Sequence, residues 1–541
     1  MDIGPFHLKR GGGLARSLLI LGILVVALGV ILGGCSSGSE TTTTAGGGSS
    51  STDTTAPAAV KTGGVLKVGS QAATNLDPHF STSIADIMLN HQVYDWLVEI
   101  DSKNQPAPGL ATKWDSPDGK VWTFELRSGV KFHNGADFTA DDVVYTFNRL
   151  RDEKVGAPTV ALYKNITDIK ATDPTHVVFT LATPNPEFPS DVGDYHAAIL
   201  SKDVADPSKE WVGTGPFMIE SYLAEDRAVL KKNPNYWMTD EAGTRLPYLD
   251  GVEFIFSPDI GGQVEALRGG EVQFVPGLTA ELADTVKADP NLKLIDTTSN
   301  MHFVIHMRSD KGHVAADPKV RQALQLGTDH QGIIDQVRPG LAVVGNGTPV
   351  GPSYGDYYLD KAPVYDPEKA KALLAEAGYA NGLNITLFAQ QALDVPAIAT
   401  VWKDQMAKIG VNVDIQTVPT DVYYGEGDAS WLTVDFGITD WGTRATPVTY
   451  FKLAYTAGGD YNESHWTDPE FEEITKQIDS EMDRQKRVDL YQRAQEILIE
   501  RGPVIVPYME MPVAGTAANV EGINLATDWA RTLFRTANFV N

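Results

Sequence analysis

The chain has 541 residues, 42% of them hydrophobic, and sets 44 Lys and Arg against 70 Asp and Glu for a formal net charge of −26. Such acidity excludes the basic footprint that nucleic-acid binding needs. A single cysteine excludes an internal disulfide framework and any Cys-rich metal cluster.

Lys9, Arg10 and Arg16 precede the apolar run SLLILGILVVALGVIL, Ser17 to Leu32. This is the charged region and hydrophobic region of a secretory leader. As a helix the run is only about 24 Å long, short of the roughly 30 Å of a bilayer core. Gly33 and Gly34 lead into Cys35, and Leu-Gly-Gly-Cys resembles a bacterial lipobox, whose cysteine carries lipid after cleavage. The expectation is a signal peptide over 1–34 and lipidation at Cys35, with an uncleaved signal anchor as the alternative. Either places the remainder outside the cytoplasmic membrane. Residues 35–63 are nearly all Ser, Thr, Gly and Ala, too polar to offset their ordering entropy, and read as a flexible linker. The stretch from residue 64 to the C-terminus is too long for one hydrophobic core and suits two or three domains.

GGVLKVGSQ (63–71) reads as a strand, broken by the Asn, Asp and Pro of TNLDPHF. IADIMLNHQVYDWLVEI (84–100) carries apolar residues at helical spacing throughout. KVWTFELR (120–127) alternates as a half-buried strand, and Thr139 followed by Asp141 and Asp142 opens a helix over 138–150. HVVFTL and VEFIFS read as strands. DPKVRQALQLGTDHQGII, DPEKAKALLAEAGY and RQKRVDLYQRAQEILIERG read as helices, the last stopped by Gly502-Pro503. Interleaved strands and helices predict an α/β protein.

Four stretches in order, LATKWDSPDGKVWTFELRSGVKFHNGADFTADDVVYTFNRL (110–150), VGTGPFMIESY (212–222), DPKVRQALQLGTDHQGII (317–334) and YDPEKAKALLAEAGY (365–379), resemble the extracytoplasmic solute-binding proteins of family 5. That family comprises substrate-binding subunits of peptide and nickel ABC importers. Lys131, Phe132, His133 and Asn134 identify it, yet they read as strand, turn and helix start, hence scaffold. The resemblance implies a two-lobed periplasmic-binding-protein fold of type II with an extra inserted domain and a ligand cleft between the lobes. Lobe one would comprise 64–104, 205–300 and 511–541, the inserted domain 105–204, and lobe two 301–510. It also implies a monomer without cofactor or enzymatic activity that captures a peptide-like solute by lobe closure and hands it to the permease subunits of an ABC importer.

Peptide binders of that family carry a Trp followed three residues on by an Asp that meets the peptide ammonium. Here the stretch is ITDWGTRATPVTYF (438–451), in which Trp441 and Pro447 match and Arg444 stands in the acid's place. A guanidinium suits carboxylate or phosphate, and Asp440 is positioned to supply the anion. Asp440, Trp441, Gly442, Thr443 and Arg444 are therefore the first site candidates. Either Arg444 meets a ligand carboxylate and Asp440 its amine, or the two pair with each other beside a neutral aromatic pocket. Asn300 and His302, in TTSNMHFVIHM, are expected at the crossover into lobe two. Tyr354, Tyr357 and Tyr358, in PSYGDYYLD, are expected as stacking walls, and Asn75, Asp77 and Thr82 on the lobe-one rim.

The alternatives are a binder of nickel or of another non-peptide solute, such as an oligosaccharide or opine, and a ligand sensor without transport. For metal, His302, His306 and His313 lack a nearby carboxylate or thiol cluster. A hydrolase lacks its motifs here, since neither Gly-x-Ser-x-Gly nor His-Glu-x-x-His occurs.

Overall fold

A computed structural model describes residues 60–540; the leader, Cys35 and most of the linker lie outside them. No helix among the described residues is long and apolar enough to cross a membrane.

Alternating apolar strands assemble two seven-stranded sheets. In the first, Val65–Ser70 lies at the centre, parallel to Gly251–Phe256 on one side and to Phe274–Pro276 on the other. Arg227–Lys232 and Phe217–Leu223 extend one flank; Val513–Ala517 and Leu292–Asp296 extend the other. In the second, His302–Met307 pairs antiparallel with Phe436–Trp441, which runs parallel to Leu383–Gln390. Each sheet has its own apolar interior: Leu66, Val68, Val252 and Phe254 in the first, and Ile305, Leu387, Trp402 and Ile438 in the second. This is the two-lobed α/β fold. Two chain segments cross between the lobes side by side. Glu510 N–H donates to Met301 O (2.8 Å), Ser299 Oγ to Glu510 O (2.8 Å) and Thr297 N–H to Pro512 O (3.2 Å).

A four-stranded antiparallel sheet, with Val121–Leu126 and His176–Leu181 at its centre, packs on the helix Ala140–Leu150. Its core, with Phe124, Phe147 and Phe179, is continuous with that of the first lobe. Two of the stretches that carry the family resemblance dock here on each other. Gly129 and Gly135 sit at positive φ, which the chain needs in order to turn His133 back. His133 N–H donates to Gly213 O (2.9 Å), its Nδ1 accepts from Gly213 N–H (3.4 Å), and its Nε2 meets Gly215 O (3.0 Å). Burial lowers the pKa of this imidazole to about 4, so the neutral ring bridges both glycines. His133 is scaffold.

Two helices are shorter than their periodicity predicts. The first ends at Val93, because Val93 O is taken by Gly215 N–H (3.0 Å) and Asp95 turns inward to Trp237 Nε1 (2.8 Å) and Thr214 Oγ1 (2.9 Å). Residues Val98–Ile100 then form a strand. The predicted helix over 317–334 is two, Pro318–Leu326 and His330–Val337, divided where Gly327 closes one and Asp329 caps the other through Gly332 N–H (2.9 Å).

A Cβ at Gly213 would lie 2.0 Å from Val93 O; Gly213 cannot yield without breaking the His133 bridge, nor Val93 O without losing Gly215 N–H. Gly213→Ala should lower the free energy of unfolding by at least about 1–3 kcal/mol, the usual range for overpacking, read from urea midpoints.

Candidate functional site

The site grows from the end of the strand Phe436–Trp441. Strand alternation leaves Asp440 exposed and Trp441 buried. Beyond Trp441 no neighbouring strand pairs with the turn, so side chains take its backbone groups. Arg444 N–H donates to Tyr450 Oη (3.1 Å), and Tyr450 Oη donates to Gly442 O (2.9 Å). Arg444 O accepts from Tyr354 Oη (2.6 Å) and from Asn104 Nδ2 (3.1 Å). Thr443 is half-buried and its Oγ1 has no protein partner. The Arg444 guanidinium lies over the Trp441 ring, 5.5 Å from its centroid, a cation–π arrangement.

Asp440 and Arg444 do not pair with each other. Asp440 Oδ1 accepts from Gln390 Nε2 (2.6 Å) and Tyr424 Oη (2.5 Å). Among the described residues no ion pair joins Arg444 to a carboxylate. One anion and one cation thus flank the end of this strand, each on its own partners and with capacity to spare. Between them runs a chain of aromatic contacts: Tyr424 to Trp431 (centroids 5.7 Å), Trp431 to Tyr461 (5.4 Å), Tyr461 to Trp441 (5.9 Å) and Trp441 to Tyr450 (5.8 Å). Tyr424 and Tyr461 are exposed at its edge. Gln390, Tyr424, Trp431 and Tyr461 were not legible as site residues. Only the aromatic density of VYYGEGDASW (422–431) and GGDYNESHW (458–466) could have flagged the last three.

The other candidates make their hydrogen bonds within the protein. Asn300 is fully buried; its Oδ1 accepts from Gly351 N–H (2.9 Å) and its Nδ2 bonds Ser353 Oγ. His302 donates from Nδ1 to Asn300 O (2.7 Å), and burial lowers its pKa to about 4. Tyr354 and Tyr357, expected as stacking walls, are buried instead, Tyr354 beneath the Arg444 turn and Tyr357 against Tyr491 with its hydroxyl on Glu187 (3.0 Å). In the first lobe Asn75 N–H and Thr82 N–H both donate to the buried carboxylate of Asp86 (3.0 and 3.4 Å). Asn75 also spans its own turn to Phe80 O (3.0 Å), Thr82 is exposed, and Asp77 is buried against Arg149. His306 is buried with neither ring nitrogen partnered. Among the described residues no group of His, Cys, Asp and Glu is arranged to hold a metal ion.

Behind Trp441 lies Glu463, 1% exposed, accepting from Thr439 Oγ1 (2.6 Å). Burial pushes its pKa from 4.5 up to about 8, with the Thr439 hydroxyl opposing and the Asp440 charge adding. A folded-state pKa above the unfolded one gives stability that is complete below about pH 4.5 and is lost as pH rises toward 8. His302 works in the opposite direction, losing its contribution as pH falls from 6.5 toward 4, and is silent above 6.5. Buried Asp191, at about 7, adds a second decline that ends earlier. Unfolding free energy should therefore fall between pH 7 and 8, and Glu463→Gln should flatten that decline, as measured by urea titrations at fixed ionic strength.

Residues 105–462 match the family described as bacterial extracellular solute-binding proteins, family 5 middle. Di/tripeptide-binding protein 1 of Pseudomonas aeruginosa is 32% identical over 73% of this chain and 79% of its own. The dipeptide-binding protein of Escherichia coli is 30% identical over 76% and 83%. Among solved structures, HbpA2 of Haemophilus parasuis superposes with a TM-score of 0.76 at 26% identity, covering 88% of this chain and all of that one. With the sequence match spanning both lobes and the fold agreeing, the chain belongs to the bacterial extracellular solute-binding proteins of family 5.

Proposed function

We propose that the chain is the substrate-binding subunit of an ABC importer and captures a peptide-like solute, an oligopeptide, dipeptide or amino-acid conjugate, for delivery to the permease. The observation that carries this reading is the pair of opposite charges, Asp440 and Arg444, held apart by separate partners across an aromatic face. A zwitterion with one ammonium and one carboxylate complements them. Arg444 takes the carboxylate with its planar fork, Asp440 takes the ammonium through its second oxygen, and Tyr424, Trp431 and Tyr461 flank the intervening atoms. The names of the relatives, which bind di- and tripeptides, support the same substrate class. No bond is made or broken in this role, which needs only a higher affinity for ligand in the closed state than in the open one.

The same proposal places the protein at the membrane through lipid on Cys35, with residues 36–63 as a tether and the lobes divided near residues 300 and 510. One acyl chain binds a membrane only marginally, so the anchor must carry more than one.

A thermal-shift series tests the substrate class. At a hundred times its dissociation constant a ligand adds about 2.7 kcal/mol of stability. Dipeptides and tripeptides should raise the melting temperature, and their C-terminal amides should do so far less. Arg444→Ala should erase that difference and weaken free-acid peptides by about 1.5–3 kcal/mol, roughly ten- to a hundredfold in Kd. Asp440→Asn should erase the parallel preference for free over N-acetylated peptides. A melt that moves with oligosaccharides or nickel and ignores peptides would overturn the peptide reading.

A further inference from the structure

A set of polar contacts crosses from the first lobe and its four-stranded sheet to the second lobe without using Asp440 or the Arg444 side chain. Glu187, which precedes the short helix Phe188–Asp191, accepts at Oε1 from Arg487 Nε (2.7 Å) and from Tyr357 Oη (3.0 Å). The two charged side chains are 11% and 9% exposed. Arg487 is aimed by Glu481 O (2.8 Å), and the Tyr357 ring is held 4.4 Å from that of Tyr491. Alongside, Arg484 bonds Asp356 (2.9 Å) and reaches Gln105 Oε1 (3.4 Å). Asn104, at φ 55°, donates from Nδ2 to Arg444 O (3.1 Å) and Ala445 O (3.4 Å).

We propose that Glu187, Arg487, Tyr357 and Asn104 form a ligand-independent latch: positioning residues that set the balance between open and closed lobes and seat the Arg444 turn on closure. The acceptor sits on one lobe and both donors to it on the other, so these bonds exist only while the lobes are together. Glu187 belongs to a body whose apolar core is continuous with the first lobe, whereas Arg487 and Tyr357 are built into the second. Parting the lobes hydrates both charges. Closing them without the partner would bury one charge unpaired, the costly case. The latch is therefore selective for one geometry. Asn104 ties that geometry to the site, because its acceptors are the carbonyls of the residue that carries the guanidinium and of its neighbour.

The proposal rests on the binding reading for its consequence but not for its test. When only the closed state retains ligand, the apparent Kd is the intrinsic one divided by the closed fraction. Weakening the latch should then weaken every ligand by one common factor and leave the ranking of ligands unchanged. Arg444→Ala, by contrast, should change the ranking.

The direct measurement is the distance between spin labels at Lys154→Cys and Lys476→Cys in the full chain carrying Cys35→Ser, by pulsed electron resonance and without ligand. Glu187→Gln should shift the distribution toward longer distances and speed dissociation of Ala-Phe about tenfold with little change in its association rate. Tyr357→Phe should do the same to a smaller degree. If Glu187→Gln alone folds poorly, Glu187→Gln with Arg487→Met leaves no unpaired buried charge and should still show the longer distances. An unchanged distribution in these variants, or a lower melting temperature with no change in distance, would overturn the latch. If Ala-Phe does not bind but the distances lengthen, the latch stands and the peptide reading falls.

Discussion

A strand that ends in the open must give its backbone groups to something other than a neighbouring strand. Residues 442–445 do this by leaning on two tyrosine hydroxyls and one asparagine amide, from Tyr450, Tyr354 and Asn104. These three hold the Arg444 peptide from both its N–H and its C=O. The supports are themselves fixed one layer down: Tyr450 lies edge-on to His302, and His302 is anchored on Asn300 O. Asn300 in turn ties Gly351 and Ser353 to the same layer. Buried polar networks rigidify as their groups are satisfied, and of these supports only His302 keeps a buried side-chain atom, Nε2, without a protein partner. Rigidity here has a use, since a guanidinium on a wandering loop would lose the geometric selectivity of its fork.

The charge layout comes from the same construction. Asp440 and Arg444 are four residues apart, yet strand pleating and the turn send them to different partners. Tyr424 and Gln390 use one oxygen of the carboxylate, and Trp441 offers the guanidinium a π face in place of an anion. Neutralising the two against each other would yield little at an exposed position and would consume the charges proposed to read a ligand. Glu463 completes the logic from beneath. Burial keeps it neutral near pH 7, so no third charge competes under Trp441.

Much of the scaffold was legible because its constraints are local. Positive-φ glycines around His133, the Thr139 helix start and the Gly502 stop each depend on a few neighbouring residues. The first helix was overextended because its end is set from a distance, by Gly215 and Thr214 more than a hundred residues on. The same holds for the site. Trp441 and Arg444 stood out through the resemblance to the family's peptide binders, but Tyr424, Trp431 and Tyr461 lie in loops that only the fold gathers. Tyr354 and Tyr357 showed the opposite error: a tyrosine run reads as an adaptable wall, and the structure spends both hydroxyls on the protein itself. Composition reports that a side chain can stack or donate, and only packing decides for whom.

That division between spent and unspent groups bears on selectivity. Tyr354, Tyr357 and Tyr450 have their hydroxyls committed and their rings buried, so they fix geometry and contribute little to choosing among ligands. Tyr461 and Tyr424 are exposed at the edge of the aromatic row, where apolar faces accept side chains of many shapes. As proposed, a site with two fixed charges and a compliant aromatic flank would read the termini of a ligand closely and its side chains loosely. With closure acting through Glu187 and Asn104, as proposed, and neither bonded to that flank, the cost of closing would be the same whichever side chain is enclosed. On the proposed reading, selectivity reduces to whether the charged ends of a ligand reach Asp440 and Arg444 together, which would make ligand length and terminal charge, more than residue identity, the variables this architecture discriminates.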